Sequence, residues 1–254
     1  MPRIRTSAEW RRTFAHNRTA PRPIPWHEPV RWTPEARRDL VPSVQEFQLG
    51  EQSEGRYLRR CAARYAAASG DADYPAAMEL FIGEEARHAA ELARLLTSAG
   101  ETLKAQTATD TAFRLARKLG LGDGLEVCLR VLVTAETVAT HYYAALRDAT
   151  GCPVTVAPCA QILRDEAAHV RFHAERLARF QAKRGAPSRA AVRGAHRALM
   201  AGTAAVVWAG CHRRVLRRAG LSFRGFAAAC LGTLERRVLS VERTPLPAGA
   251  PALA

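Results

Sequence analysis

From Pro34 to about Leu239 apolar residues recur at steps of three and four, the period of helices that bury one face. Four long seams result. The first reads Val44, Phe47, Glu51, Glu54, Leu58, Cys61, Tyr65, and the second Met78, Phe81, Glu85, His88, Leu92, Leu95. The third reads Leu125, Leu129, Leu132, Glu136, Ala139, Tyr143, Leu146, and the fourth Cys159, Ile162, Glu166, His169, His173, Leu177, Phe180. Each is interrupted near its middle by a carboxylate or an imidazole where an aliphatic side chain is expected. Strand signals are nearly absent, so the class is all-α.

Residues 43–182 are expected to form a four-helix bundle of two antiparallel hairpins, turning at Ser69-Gly70 and at Gly151. A long crossover from Gly100 to Gly124, with a short helical piece around Asp110 to Leu119, joins the hairpins. Residues 1–42, with Trp10, Trp26 and Trp32 among Pro21, Pro23, Pro25 and Pro29, read as an extended arm followed by a short helix. That helix starts at Thr33-Pro34-Glu35 and is interrupted by Pro42; Ser43-Val-Gln-Glu46 then forms a capping box that restarts the first bundle helix. Residues 183–243 read as two further helices packed on the bundle, Ser188 to about Arg218 and Ser222 to about Leu239. The Pro/Ala tail at 244–254 is expected to be disordered.

A carboxylate buried without a partner costs several kcal/mol or neutralises, so four such interruptions in one core require shared cations. Glu85-Ala-Arg-His88 and Glu166-Ala-Ala-His169 repeat one box, and residues three apart lie on one helix face. Glu54 and Glu136 each precede a box by about 30 positions, and the two turns bring each pair to the same height. The expected metal ligands are therefore Glu54, Glu85, His88, Glu136, Glu166 and His169. They suit two iron ions, with manganese or a mixed manganese–iron pair as variants. Glu51 also lies on the inward stripe; Glu54 matches the hairpin spacing better, leaving Glu51 as a nearby base or an extra ligand. Tyr143 and His173 are candidates for supporting roles. His212, among arginines, is assigned none.

The order Glu, Glu-x-x-His, Glu, Glu-x-x-His resembles the ferritin-like superfamily of non-haem di-iron carboxylate proteins. The resemblance covers about residues 43–182. It implies that Glu85 and Glu166 bridge the metals, that Glu54 and His88 complete one ion, and that Glu136 and His169 complete the other. It further implies an enzyme, a dioxygen-activating oxidoreductase of unidentified substrate. The alternatives are an iron-handling ferroxidase, a rubrerythrin-like peroxide scavenger, and a metal-free helical module that binds RNA or protein.

Net charge is +14, almost wholly from arginine, since Lys104, Lys118 and Lys183 are the only lysines. Such a surface attracts an acidic partner or electron donor, although a genome that writes arginine for lysine is the plainer account. Six cysteines without a Cys-x-x-Cys pair exclude a zinc ribbon or rubredoxin-type iron. The basic N-terminus has no apolar stretch after it, and the longest apolar run, Ala198 to Cys211, is too short for a bilayer. A cytoplasmic protein without a transmembrane segment is expected, and a homodimer is compatible with all of this.

Overall fold

Thr6 opens the first helix, α1 (Ser7–Thr19), through a reciprocal cap: its hydroxyl accepts from the Glu9 N–H, and the Glu9 carboxylate accepts from the Thr6 N–H. The computed structural model describes residues 3–52, 55–105 and 124–244. Glu54, the stretch expected to be helical around Asp110 to Leu119, and the tail from residue 245 lie outside them. The described residues form helices and their connections, with no strand among them.

The helix α1 corrects the expectation of an extended arm over the whole N-terminus. Pro21, Pro23, Pro25 and Pro29 follow it, so they constrain residues 20–33, an irregular stretch with a turn at 26–27, and leave Ser7–Thr19 free to coil. Trp10 and Phe14 bury its inner face against α4. The Trp10 indole donates to Glu175 at 2.8 Å, and Trp32, on the irregular stretch, donates to Thr155 at 2.9 Å.

Helix α2 (Pro34–Glu51) starts on the Thr33 hydroxyl and continues through Pro42 without interruption. Ser43 is no cap. It is fully buried, and its hydroxyl is spent on Tyr142 and His212, at 2.8 and 2.9 Å. An interior proline removes one backbone hydrogen bond; here the long contact of α2 with α4 holds the helix together. The real break comes later. Gly55 takes a left-handed φ of +61° and starts α3 (Arg56–Ser69), so the expected single first helix is two. Any side chain at Gly55 would crowd Ile82, whose Cδ1 would stand 2.8 Å from an added Cβ.

Gly70, also left-handed, closes α3 and leads into α4 (Asp73–Ser98). Gln45 bonds Thr102 O at 2.6 Å and Arg59 pairs with Glu79 at 2.6 Å, so α2 and α3 run antiparallel to α4. Helices α5 (Leu125–Asp148) and α6 (Pro153–Ala182) turn about Gly151 into the second hairpin, with Glu126 on Arg184 at 2.7 Å at its open end. Arg87 on Asp165 at 2.5 Å and Glu84 on His169 at 2.8 Å set α4 antiparallel to α6. Helices α4 and α5 therefore run the same way.

The C-terminal part departs from the two expected helices. Gly210 is extended and stops α7 (Ala186–Ala209), and the chain restarts as α8 (His212–Arg218). After Gly220, α9 (Phe223–Thr233) passes into a π-helical turn at Leu234–Leu239 and a short 3-10 turn at Val241–Arg243. All six cysteines are free thiols. Among the described residues no helix is long and apolar enough to cross a membrane.

Candidate metal centre

Helix α4 turns Phe81, His88 and Leu92 inward along one stripe with Glu85, and α6 does the same with Ile162, Glu166, His169 and His173. Helix α5 adds Glu136, buried between Val133 and Ala139. The last residue of α2, Glu51, completes the ring. Two groups of donors result, Glu51–Glu85–His88–Glu166 and Glu85–Glu136–Glu166–His169, in each of which the donor atoms lie within 4.8 Å of one another. Glu85 and Glu166 belong to both. The expected Glu54 lies outside the described residues; among those described, Glu51 is the carboxylate of this region that joins the donor groups.

Both imidazoles turn Nδ1 to the centre. His88 Nδ1 stands 3.6 Å from Glu85, 3.8 Å from Glu166 and 3.9 Å from Glu51. His169 Nδ1 stands 3.1 Å from Glu85, 3.6 Å from Glu136 and 3.9 Å from Glu166. Most of these separations are too long for hydrogen bonds. They do suit ligands of a common ion, because donors held at about 2.1 Å stand roughly 3.0–3.4 Å apart on octahedral or tetrahedral edges and about 4 Å when opposite. The inward atoms are also orphans: Glu85 Oε1, His88 Nδ1, Glu136 Oε1, both Glu166 oxygens and His169 Nδ1 are buried with no hydrogen-bond partner. Buried polar atoms are rarely left this way. The donor set fits a pair of cations.

The outer nitrogens are tied down. His88 Nε2 meets Asp165 at 3.2 Å, and His169 Nε2 meets Glu84 at 2.8 Å. Each supporting acid immediately precedes the glutamate of the opposite box, so the boxes brace one another's histidines. A carboxylate on the far nitrogen fixes the ring and its tautomer. Asp165 is held in turn by Arg87 and by Gln161, both at 2.5 Å. Burial works against its charge, but His88 and Gln161 keep its carboxyl below the ordinary range. Sequence reasoning missed Glu84 and Asp165. Their signal was the repeat acid-Glu-x-x-His: one step along a helix is about 100° of rotation, so the preceding acid faces the neighbouring helix instead of the centre.

Tyr143 is bonded to the centre, its hydroxyl donating to Glu51 Oε1 at 2.6 Å. His173 belongs to neither donor group. It is fully buried, its ring packs edge-on against Phe81 at 4.8 Å, neither nitrogen has a partner, and burial pushes its pKa down to about 3. Phe14 and Phe81 wall off His169.

Burial and the charges of Glu136 and Glu51 push Glu85 up to about 8; burial and Glu136 push Glu166 well above the carboxylate range. For Glu136 burial is outweighed by Glu166 and His169, which bring it down to about 2. For His88, too, burial is outweighed, by Asp165 and Glu51, which raise it to about 10. Without cations the centre thus balances its charge with protons, which metal binding displaces. A raised folded-state pKa stabilises below the unfolded value and the gain is lost as pH rises through the folded value. Metal-free protein should therefore lose the contribution of Glu85 between about pH 4.5 and 8, and that of His88 between about 6.5 and 10. Denaturant titrations of chelated protein at pH 6 and pH 9 check this, with metal-free Glu85→Gln as control for the relief of net charge. Wild type should lose more stability across the interval than the variant; equal slopes would contradict the assignment.

Comparison with known proteins finds no matching family model, no similar curated protein and no similar solved structure.

Proposed function

We propose that this chain is a di-iron carboxylate oxidoreductase of ferritin-like architecture that activates dioxygen to oxidise a substrate, with manganese or a mixed pair as the variants of the metal. The observation that carries this reading is the convergence of orphaned, buried donors into two groups sharing Glu85 and Glu166. Glu51 and His88 would hold one ion and Glu136 and His169 the other, with the two shared glutamates between them. When bound, such a pair supplies the electrons and open coordination positions that reduce dioxygen.

The surrounding side chains have definable tasks. Asp165 and Glu84 hold the imidazoles with their lone pairs inward. The Tyr143 hydroxyl donates to Glu51 Oε1 and so holds that carboxylate with its other oxygen toward the centre. Phe14 and Phe81 exclude water on the His169 side. Glu85 keeps 16% of its side chain exposed, against 0–7% for the other donors, which makes its edge the side of approach for dioxygen and substrate.

The test is oxygen uptake after anaerobic loading with Fe(II) and removal of unbound iron. Loaded wild type should consume about one dioxygen per two irons and change its visible spectrum, and Glu166→Ala should do neither. Uptake no faster than that of free Fe(II) would overturn the reading. Iron accumulating far beyond two per chain would point to storage instead.

A further inference from the structure

Where α7 stops, the chain places two unlike metal-ligand side chains side by side against α2. Gly210 is extended, Cys211 caps α8, and His212 is its first residue. Opposite them α2 presents Pro42, Ser43, Glu46 and Phe47. The His212 ring is set edge-on to Phe47 at 5.0 Å and to Tyr142 at 5.7 Å. The Ser43 hydroxyl donates to the Tyr142 hydroxyl at 2.8 Å and stands 2.9 Å from His212 Nδ1.

That contact orients the ring. It turns Nε2 toward Glu46 Oε2, 3.5 Å away. That spacing is longer than a good hydrogen bond and close to the roughly 3.4 Å edge expected between N and O ligands of one tetrahedral ion. Cys211 Sγ lies 3.9 Å from His212 Nδ1 and 3.6 Å from the Pro42 carbonyl, with the Glu46 carboxylate also beside it. The donor atoms of Glu46, Cys211 and His212 all lie within 4.8 Å of one another.

We propose that Glu46, Cys211 and His212 form a second metal site, a mononuclear one for a thiophilic divalent cation of the zinc class. One carboxylate, one thiolate and one imidazole make a mixed set that selects such an ion over hard cations. Ser43, bonded to Nδ1, holds the His212 ring in place as the acids hold the histidines of the larger centre. Cys211 also lines a surface cleft with Asp39, Pro42, Arg213 and Arg214, from which a cation and a further ligand would reach the site. The thiol, pushed up to about 11 by burial and by Glu46, gives up its proton when the cation arrives. This site is separate from the larger centre. Glu46 and Glu51 are five residues apart on α2, roughly 7.5 Å along its axis, with Phe47 and Tyr142 stacked at 3.6 Å beside the histidine.

The test uses the full chain and Co(II) alone as probe, because cobalt bound to a thiolate shows a sulfur-to-metal charge-transfer band that carboxylate–histidine sites do not. Titration should give that band at one equivalent, Zn(II) should bleach it, and Glu166→Ala, which disables only the larger centre, should retain it. Cys211→Ser should abolish the band, and Glu46→Gln should weaken zinc binding at least tenfold with helicity unchanged. No sulfur band in wild type, or a band that survives in Cys211→Ser, would overturn the proposal whatever the larger centre binds.

Discussion

Glu166→Ala is expected to strip both ions from the larger centre, lowering tightly bound metal from about two per chain to nearly none. Glu166 is the fully buried member of the shared pair. Its Oε1 stands 3.8 Å from His88 Nδ1 and its Oε2 3.9 Å from His169 Nδ1, so one substitution removes a donor from each group. The remaining carboxylates cannot close either shell. Glu136→Ala takes a donor from one group only and should leave about one ion. Loss of fold does not explain the expected result, because Glu166 is a carboxyl crowded by Glu136 and Glu85. Removing it should leave metal-free Glu166→Gln at least as stable as metal-free wild type. Metal analysis after gel filtration, with circular dichroism for helicity, checks both halves; full occupancy in Glu166→Ala would sink the assignment.

Glu51→Gln should cost the ion on the His88 side, whereas Glu54→Gln should leave two ions bound. Glu51 closes α2, faces His88 at 3.9 Å and is gripped by Tyr143 at 2.6 Å. A neutral amide keeps the shape but loses the charge and offers only a weak carbonyl donor. Occupancy should fall to about one. An exchange of the two outcomes would put the ligand beyond the end of α2 and leave Glu51 as an outer base. Isothermal titration of each chelated variant with Fe(II) under anaerobic conditions separates the cases.

The choice between these two residues shows where the sequence stops being legible. Glu85, His88, Glu136, Glu166 and His169 interrupt apolar seams, and helical periodicity alone is enough to turn them toward one point. Glu51 and Glu54 share a stripe, and counting back from Ser69-Gly70 through an unbroken helix favours Glu54. The left-handed Gly55 breaks that helix and resets the count. A glycine's φ is a tertiary matter, here bound up with its approach to Ile82. Averaging composition over residues 1–33 hid the Thr6–Glu9 cap, which is local and was readable. Pro42 signals an interruption because its cost is local, whereas the packing that offsets it is not. His212 looked idle among arginines because its partners Ser43 and Glu46 are far away in sequence.

The most direct measurement is the iron content of chelated and then anaerobically reloaded wild type, dialysed against Fe(II) and read beside Glu166→Ala. Two tightly held irons per chain in wild type and almost none in the variant are expected. One iron or none in wild type, or two that persist without Glu166, would contradict a dinuclear centre built on the shared glutamates.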